Sequence, residues 1–228
     1  MAAALGWFFD AYVITIYALT VPQIAREFNV STTLLSGAIG STFLVGYAIG
    51  TIGFGHSGDR FGRKTILGIS IAGYGLTTAL TGFSGGLVML GVLRFLTGVA
   101  GGSELTIGAP YVSETWERNR RSSGIGFMYS FYPLGFVFGV AVFTLISPVW
   151  GWRAVYAVSI IPAIFVLIFR VRLEESPRFS ALVDVIEKGH DRQVSVLRAF
   201  ANRVFRFRIL TGFLIFVSLT YGYYAMVF

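Results

Sequence analysis

The chain has 228 residues, 55% of them hydrophobic and only 13% charged, and it contains no cysteine. That balance excludes a water-soluble single domain, and the missing thiols exclude disulfides, thiol catalysis and thiolate metal sites. A formal charge of +7 would favour nucleic acid in a soluble protein. Here the basic residues cluster between long apolar runs, so the lipid bilayer is the expected partner and nucleic acid is not.

A helix that crosses the hydrocarbon core takes about 20 mainly apolar residues. Such runs cover roughly 4–25, 33–56, 65–83, 87–111, 123–147, 153–170 and 209–228, and they are too long for barrel strands. The predicted fold class is therefore all-α: a polytopic bundle of six spans plus the start of a seventh. The first run has no basic leader or cleavage site ahead of it and reads as a retained helix. It carries Asp10, with Ile14 and Tyr17 following on the same helical face. Between the second and third runs lies a dense polar turn, Gly55-His56-Ser57-Gly58-Asp59-Arg60-Phe61-Gly62-Arg63-Lys64. Its glycines allow a tight turn, Asp59 can face a helix N-terminus, and the basic residues can face lipid headgroups.

The fourth run contains Arg94, Gly98, Gly101 and Leu105 on one face, where small residues let a neighbouring helix approach the guanidinium. Glu104, ten residues beyond Arg94, is turned about 80° away. A polar connection follows, Tyr111-Val112-Ser113-Glu114 with Arg120 and Arg121. The fifth run opens with Tyr129, Ser130 and Tyr132, then Gly135 and Gly139 as a small-residue packing pair. Residues 171–208 differ in kind: charged residues alternate with apolar ones at helical spacing, predicting amphipathic helices along the membrane face. They divide a six-helix domain, residues 1–170, from a second domain that begins at 209–228.

Alternating spans put all but three of the 18 Lys and Arg on one side, including Arg60, Arg63, Lys64, Arg118, Arg120, Arg121 and the basic residues from Arg170 to Arg208. By the positive-inside rule that side is cytoplasmic, and with it the N-terminus and residues 171–208 of a multi-pass cell-membrane protein. Arg26 and Arg153 fall at outer ends and Arg94 inside a span. Trp150 and Trp152 at an outer end and Trp116 at an inner end suit interfacial anchoring.

Gly55, Asp59, Arg60, Gly62, Arg63 and Lys64 fit the G-x-x-x-D-R-x-G-R-K turn of the major facilitator superfamily, which the chain resembles. Arg94-Phe95-Leu96-Thr97-Gly98 is similar to that family's fourth-helix motif. Tyr111-Val112-Ser113-Glu114 with Arg120 and Arg121 resembles the loop after it, although Ser122 replaces the usual Gly. Glu174-Glu175-Ser176-Pro177-Arg178 resembles the segment after the sixth helix, with Glu174 in place of a Pro. The resemblance covers residues 1 to about 180. It implies the six-helix N-terminal half of a two-half transporter with a solute site between the halves, so that the missing C-terminal half is an implied partner.

The resemblance also implies roles. Asp10 and Arg94 match a helix-one Asp and helix-four Arg that pair in proton-coupled sugar porters, so a proton on Asp10 would release Arg94; a static ion pair is the alternative. Glu104 is as consistent with a structural hydrogen bond as with a proton or substrate role. Tyr17, Tyr129, Ser130 and Tyr132 are the candidate solute contacts, against packing aromatics. Gly55, Asp59, Arg60, Gly62, Arg63, Lys64, Glu114 and Arg121 would govern gating.

The expected function is secondary active transport, a proton-coupled uptake of an organic acid or sugar driven by the proton gradient with no cofactor. The fifth helix lacks the Gly-Pro of exporters, which favours uptake over proton-coupled drug or metabolite export. The stretch Gly6-Trp7-Phe8-Phe9-Asp10-Ala11-Tyr12 resembles carboxylate porters, although Val13 replaces their second acid. No enzyme is expected: there are two His and no metal-ligand cluster, and no Walker loop for ATP. A transport-inactive scaffold or a truncated product stands as the alternative from another class.

Overall fold

The computed structural model describes residues 2–171 and, beyond them, 175, 176, 179, 206, 207, 210–212 and 214; the side chains of Ala2, Asp59 and Leu105 lie outside that description. All regular structure among the described residues is helical: α1 (Ala2–Glu27), α2 (Thr32–Leu34), α3 (Gly40–Phe61), α4 (Arg63–Thr81), α5 (Leu87–Ser103), α6 (Ala109–Thr115), α7 (Arg121–Val158) and α8 (Ile160–Val171). Single π turns, Leu35–Ile39 and Glu104–Gly108, join α2 to α3 and α5 to α6. The chain divides into two units, Met1–Ala181 and Leu182–Phe228, and the candidate site is in the first. Most of the predicted amphipathic segment 171–208 and of the seventh run 209–228 falls outside the described residues.

The predicted spans become six rods. The second is α2, its π turn and α3; the fourth is α5, its π turn and α6. The expected break between the fifth and sixth lies inside α7, at Gly151, whose φ of 75° departs from the helix. Only glycine adopts such a value without a steric penalty, and Pro148 just before it removes a backbone donor. Four stretches are long and apolar enough to cross a membrane: Ala3–Glu27, Thr32–Gly58, Leu87–Thr115 and Arg121–Val171, the last holding two rods. The rod that falls short is α4, rich in Gly, Ser and Thr. It buries Ile66, Leu67, Ser70, Ile71, Tyr74, Gly75, Thr78, Ala79 and Thr81 against its neighbours, so Ser70, Thr78 and Thr81 meet protein and not lipid.

In α1, Phe9, Ala11, Tyr12, Val13, Ile16 and Ile24 have no exposed surface. A helix buried over most of its circumference, with the face of Ala18, Pro22 and Arg26 exposed, is central. It packs closely on α7, where a methyl group at Gly135 would overlap the Phe8 carbonyl and one at Gly139 would overlap Thr15. The α3–α5 contact is reciprocal. Methyl groups at Gly46 and Gly50 would overlap the carbonyls of Phe95 and Val99, and methyl groups at Gly98 and Gly102 would overlap Phe43 and the backbone at Tyr47 and Thr51. Glycines four residues apart on both helices thus bring backbone against backbone. Lipid offers no hydrophobic drive for helix association, so dispersion over this contact, with long hydrogen bonds from Thr42 and Thr51 to the Gly91 and Gly102 carbonyls, holds the pair.

At the end opposite the polar turn, Glu27 on α1 pairs with Arg153 and accepts a 2.7 Å hydrogen bond from Trp152 Nε1. Arg153 also donates to the Ser84 carbonyl at 2.9 Å. Trp152 is buried and serves this clasp, not the interface that its position predicts; Trp150 is exposed as expected.

A methyl at Gly50 has no room while one at Gly53 meets nothing within 4 Å. Gly50→Ala is expected to destabilise the protein by roughly 1–3 kcal/mol through overpacking, and Gly53→Ala to leave it unchanged or up to about 1 kcal/mol more stable. Thermal unfolding in detergent, followed by tryptophan fluorescence, compares the two.

Candidate functional site

Asp10 is held on the buried face of α1, 3% exposed, and its Oδ1 accepts a 2.8 Å hydrogen bond from the Tyr74 hydroxyl of α4. Tyr74 is fixed in turn by the edge of Phe9, at 5.3 Å between ring centroids. Gly101 on α5 lies beside both Tyr74 and Tyr47 of α3, since a methyl there would sit 3.2 Å from one ring and 3.4 Å from the other. α5 therefore packs on the Tyr74 ring that binds the carboxylate, with Tyr47 of α3 beside it.

Arg94 is 1% exposed. Its guanidinium carbon stands 4.1 Å from the centroid of Tyr17 and 4.8 Å from that of Phe43, close enough for cation–π attraction to both rings. Nε and Nη1 are buried without a hydrogen-bond partner. The Tyr17 hydroxyl donates to the Leu35 carbonyl at 3.0 Å, where the second rod enters its π turn. The expected Asp10–Arg94 pair is not made. Tyr17, not Asp10, reaches Arg94, and seven residues of helix put the two about 10 Å apart along α1.

Glu104 has a different partner, as its angle from Arg94 predicts. Arg170 Nη2 lies 2.6 Å from Glu104 Oε2, and Arg170 Nη1 donates to the Leu67 carbonyl at 3.2 Å. Both charged side chains are at most 1% exposed. The sequence groups Arg170 with the basic residues of the membrane face; instead it is buried in the bundle, because a carboxylate one helix away offers it a partner.

Of the other candidate solute contacts, Tyr129 is 43% exposed, with its ring 4.8 Å from Trp7, and Tyr132 meets Trp7 edge-on at 5.4 Å. Trp7 Nε1 is buried with no hydrogen-bond partner. Ser130 does not join this cluster, for its hydroxyl donates to the Phe127 carbonyl of its own helix at 2.7 Å. The sequence reading misses Tyr74, Arg170, Phe43, Tyr47 and Trp7 as site residues. A hydroxylated aromatic in the polar third run marks Tyr74, while only a partner makes Arg170 distinct.

At the polar turn, Gly62 takes φ 94° between α3 and α4. The backbone N–H groups of Arg63 and Lys64 both donate to Glu175 Oε1, at 2.9 and 3.1 Å, so the carboxylate of Glu175 faces the N-terminus of α4. The Asp59 side chain, expected in that role, lies outside the described residues. Arg63 pairs with Glu114 at 3.0 Å, and the Ser176 hydroxyl donates to Glu114 Oε2 at 2.7 Å. Arg60 stacks on Phe61 at 5.3 Å, Arg121 is exposed at the first residue of α7, and the Lys64 side chain is half-buried. Gly55 lines a cavity of about 290 Å³ with Gly58, Arg63, Thr106, Ile107 and Pro110. Among the described residues no cluster of metal-ligating side chains occurs.

A bundle of apolar rods with buried charges inside and a polar turn at one end defines a membrane transport fold. The sequence matches the Major Facilitator Superfamily over residues 3–228, and the chain belongs to that superfamily. It is 30% identical over 187 residues to the niacin transporter NiaP of Acinetobacter baylyi, covering 82% of this chain and 42% of that one. It is 28% identical over 228 residues to the gentisate transporter of Corynebacterium glutamicum, covering 97% and 51%. The proton:xylose symporter XylE with a bound bromodeoxyglucose has a similar fold, with TM-score 0.73, 21% identity, and coverage of 83% of this chain and 46% of that one. The partially occluded, inward-open form of XylE from E. coli gives TM-score 0.67 at 21% identity, covering 97% and 58%. The chain spans about half the length of the curated relatives it matches.

Because Glu175 supplies a charged acceptor to two N–H groups that α4 cannot satisfy internally, Glu175→Ala is expected to cost about 1 kcal/mol. Urea or thermal unfolding in detergent measures it, and Glu175→Asp is expected to recover only part because its side chain is shorter.

Proposed function

We propose that this half belongs to a secondary transporter that takes up a small organic carboxylate together with protons by alternating access, with Asp10 as the proton site and Arg94 as the group that holds the solute anion. The observation that carries the reading is the orphaned guanidinium: Arg94 is buried against two aromatic rings, with Nε and Nη1 unpartnered. The two rings attract the charge but offer no acceptor to Nε and Nη1, and a carboxylate suits those donors in the plane of the fork. A neutral sugar would leave the charge uncompensated. The names of the relatives, a niacin and a gentisate transporter, support an organic acid over a sugar. The aromatic set Trp7, Tyr129 and Tyr132 could take the body of such a solute, with the unpartnered Trp7 Nε1 as a donor.

Coupling follows from electrostatics. Asp10 and Tyr17, whose ring carries the Arg94 guanidinium, lie about 10 Å apart along α1, and at that separation an ionised Asp10 and a carboxylate held by Arg94 would repel by about 1.7 kcal/mol at an effective dielectric of 20. Loading a proton on Asp10 would then strengthen solute binding roughly 15-fold, and by reciprocity the solute would strengthen proton binding by the same factor. Tyr74 would hold the carboxyl in either state, as donor to the anion or as a partner of the acid. The Arg63–Glu114 and Glu175 contacts at the polar turn would gate one end against the second half. The charge bias supports a cytoplasmic location for that end and for the N-terminus.

The test is uptake of labelled nicotinate, gentisate and xylose into vesicles under an imposed pH gradient. Asp10→Asn should abolish accumulation against a gradient while leaving exchange of solute across the membrane intact. Arg94→Gln should weaken half-saturation for an acid by 10- to 100-fold, the loss of a hydrogen bond to a charged group of about 1.5–3 kcal/mol. Gradient-driven uptake of xylose alone would replace the acid by a sugar, and no uptake of any solute would favour a scaffold.

A further inference from the structure

The Glu104–Arg170 pair is not used by the transport scheme, yet it is pressed against the helix that carries the proton site. A methyl group at Gly6 would overlap both Arg170 Nη2 and Glu104 Oε2, so the α1 backbone rests directly on the two charges. Gly6 and Asp10 are four residues apart on one helical face. That places both charges within roughly 8 Å of Asp10 by helix geometry. α4 ties the same two centres together, because its Leu67 carbonyl accepts from Arg170 and its Tyr74 hydroxyl donates to Asp10. Residues 67 and 74 are two turns apart on one face.

We infer that Glu104 and Arg170 act as an electrostatic balance that sets the pH at which Asp10 loads its proton, each charge cancelling the other's effect on the carboxyl. The inference rests on Asp10 as the proton site. The groups that face this region are few. On α1 it is met by Asp10 itself and by Tyr12, whose hydroxyl is bonded to Ser159. From α3 comes Tyr47, and from α4 come Tyr74 and Ser70, the latter bonded to Ser103 of α5. α5 contributes Arg94, two turns outward at Tyr17. α7 contributes Tyr129 and Tyr132 at Trp7, while its Tyr156 bonds Thr20, ten residues farther along α1 than Asp10. α8 contributes Arg170. None of the neutral groups can replace the cancelled charge.

Removing one partner leaves the other uncompensated near Asp10, with opposite signs in the two cases. In Arg170→Gln the free carboxylate of Glu104 disfavours a second negative charge, so Asp10 and Glu104 titrate as a coupled pair. In Glu104→Gln the free guanidinium of Arg170 favours ionised Asp10. A purely structural pair would weaken the protein in both variants without moving the titration in opposite directions.

The experiment is an infrared titration of the chain in lipid vesicles, following the protonated carboxyl band that Asp10→Asn removes. The first protonation in Arg170→Gln is expected about one unit or more to alkaline of the unmutated protein, and in Glu104→Gln about one unit to acid. The double variant Glu104→Gln/Arg170→Gln and the charge-conserving Arg170→Lys are both expected to return to the original midpoint, and they keep the test decisive if a single variant fails to fold. Shifts of the same sign, no shift in either single variant, or a double variant that stays displaced would overturn the inference. Absence of any band sensitive to Asp10→Asn would instead overturn Asp10 as the proton site.

Discussion

A charge inside hydrocarbon is costly, at least about 2.5–3.5 kcal/mol even on the most lenient scale, and the interior of this bundle is arranged around groups that cannot be solvated by lipid. Asp10, Arg94, Glu104 and Arg170 are each at most 3% exposed, and each is answered by a different device. Glu104 and Arg170 neutralise one another. Asp10 takes a phenolic hydroxyl, and Arg94 takes two aromatic faces in place of hydrogen-bond acceptors. The first pairs charge with charge and leaves only Arg170 Nε without a partner, whereas the third leaves both Nε and Nη1 of Arg94 without one and supplies no carboxylate. That inequality separates a pair able to serve as a fixed background from a group poised to bind.

Close packing makes these arrangements possible. The glycines of α3 and α5 bring the two backbones together and set Phe43 and Tyr47 beside the α5 face that carries Arg94 and Gly101. Gly135 and Gly139 do the same for α7 against α1, which brings Tyr132 to Trp7. Gly6 lets the first helix lie on the buried ion pair. In each case the missing side chain matters for where it places the charged one next to it.

Several of these features were legible in the sequence. Run lengths gave the rods to within a few residues, since the bilayer sets a minimum length that a soluble helix need not meet. The order of charged residues at the polar turn identified the family, and Arg63 and Glu114 meet as neighbours there. Asp10, Arg94 and Glu104 stood out because apolar runs surround them. Their partners did not. Arg170 sits at the end of an apolar run, where an arginine ordinarily reaches toward headgroups, and nothing local distinguishes it from the basic residues that follow. Tyr74 is one tyrosine among 11. The Asp10–Arg94 pair expected from the family's pattern gave way to Tyr74 and to the Tyr17–Phe43 clamp.

The sequence by itself determined that the chain lies in a membrane, how many times its first unit crosses, which end carries the basic residues, and which interior charges need an explanation. Those properties follow from composition and one-dimensional spacing against a solvent of known thickness. Only the tertiary structure decided how the charges are answered, because a helix periodicity fixes the face of a residue but not the neighbour across from it. The partner depends on the crossing of two backbones, and in this bundle that crossing is set by glycines whose effect appears only when the opposite helix is in place.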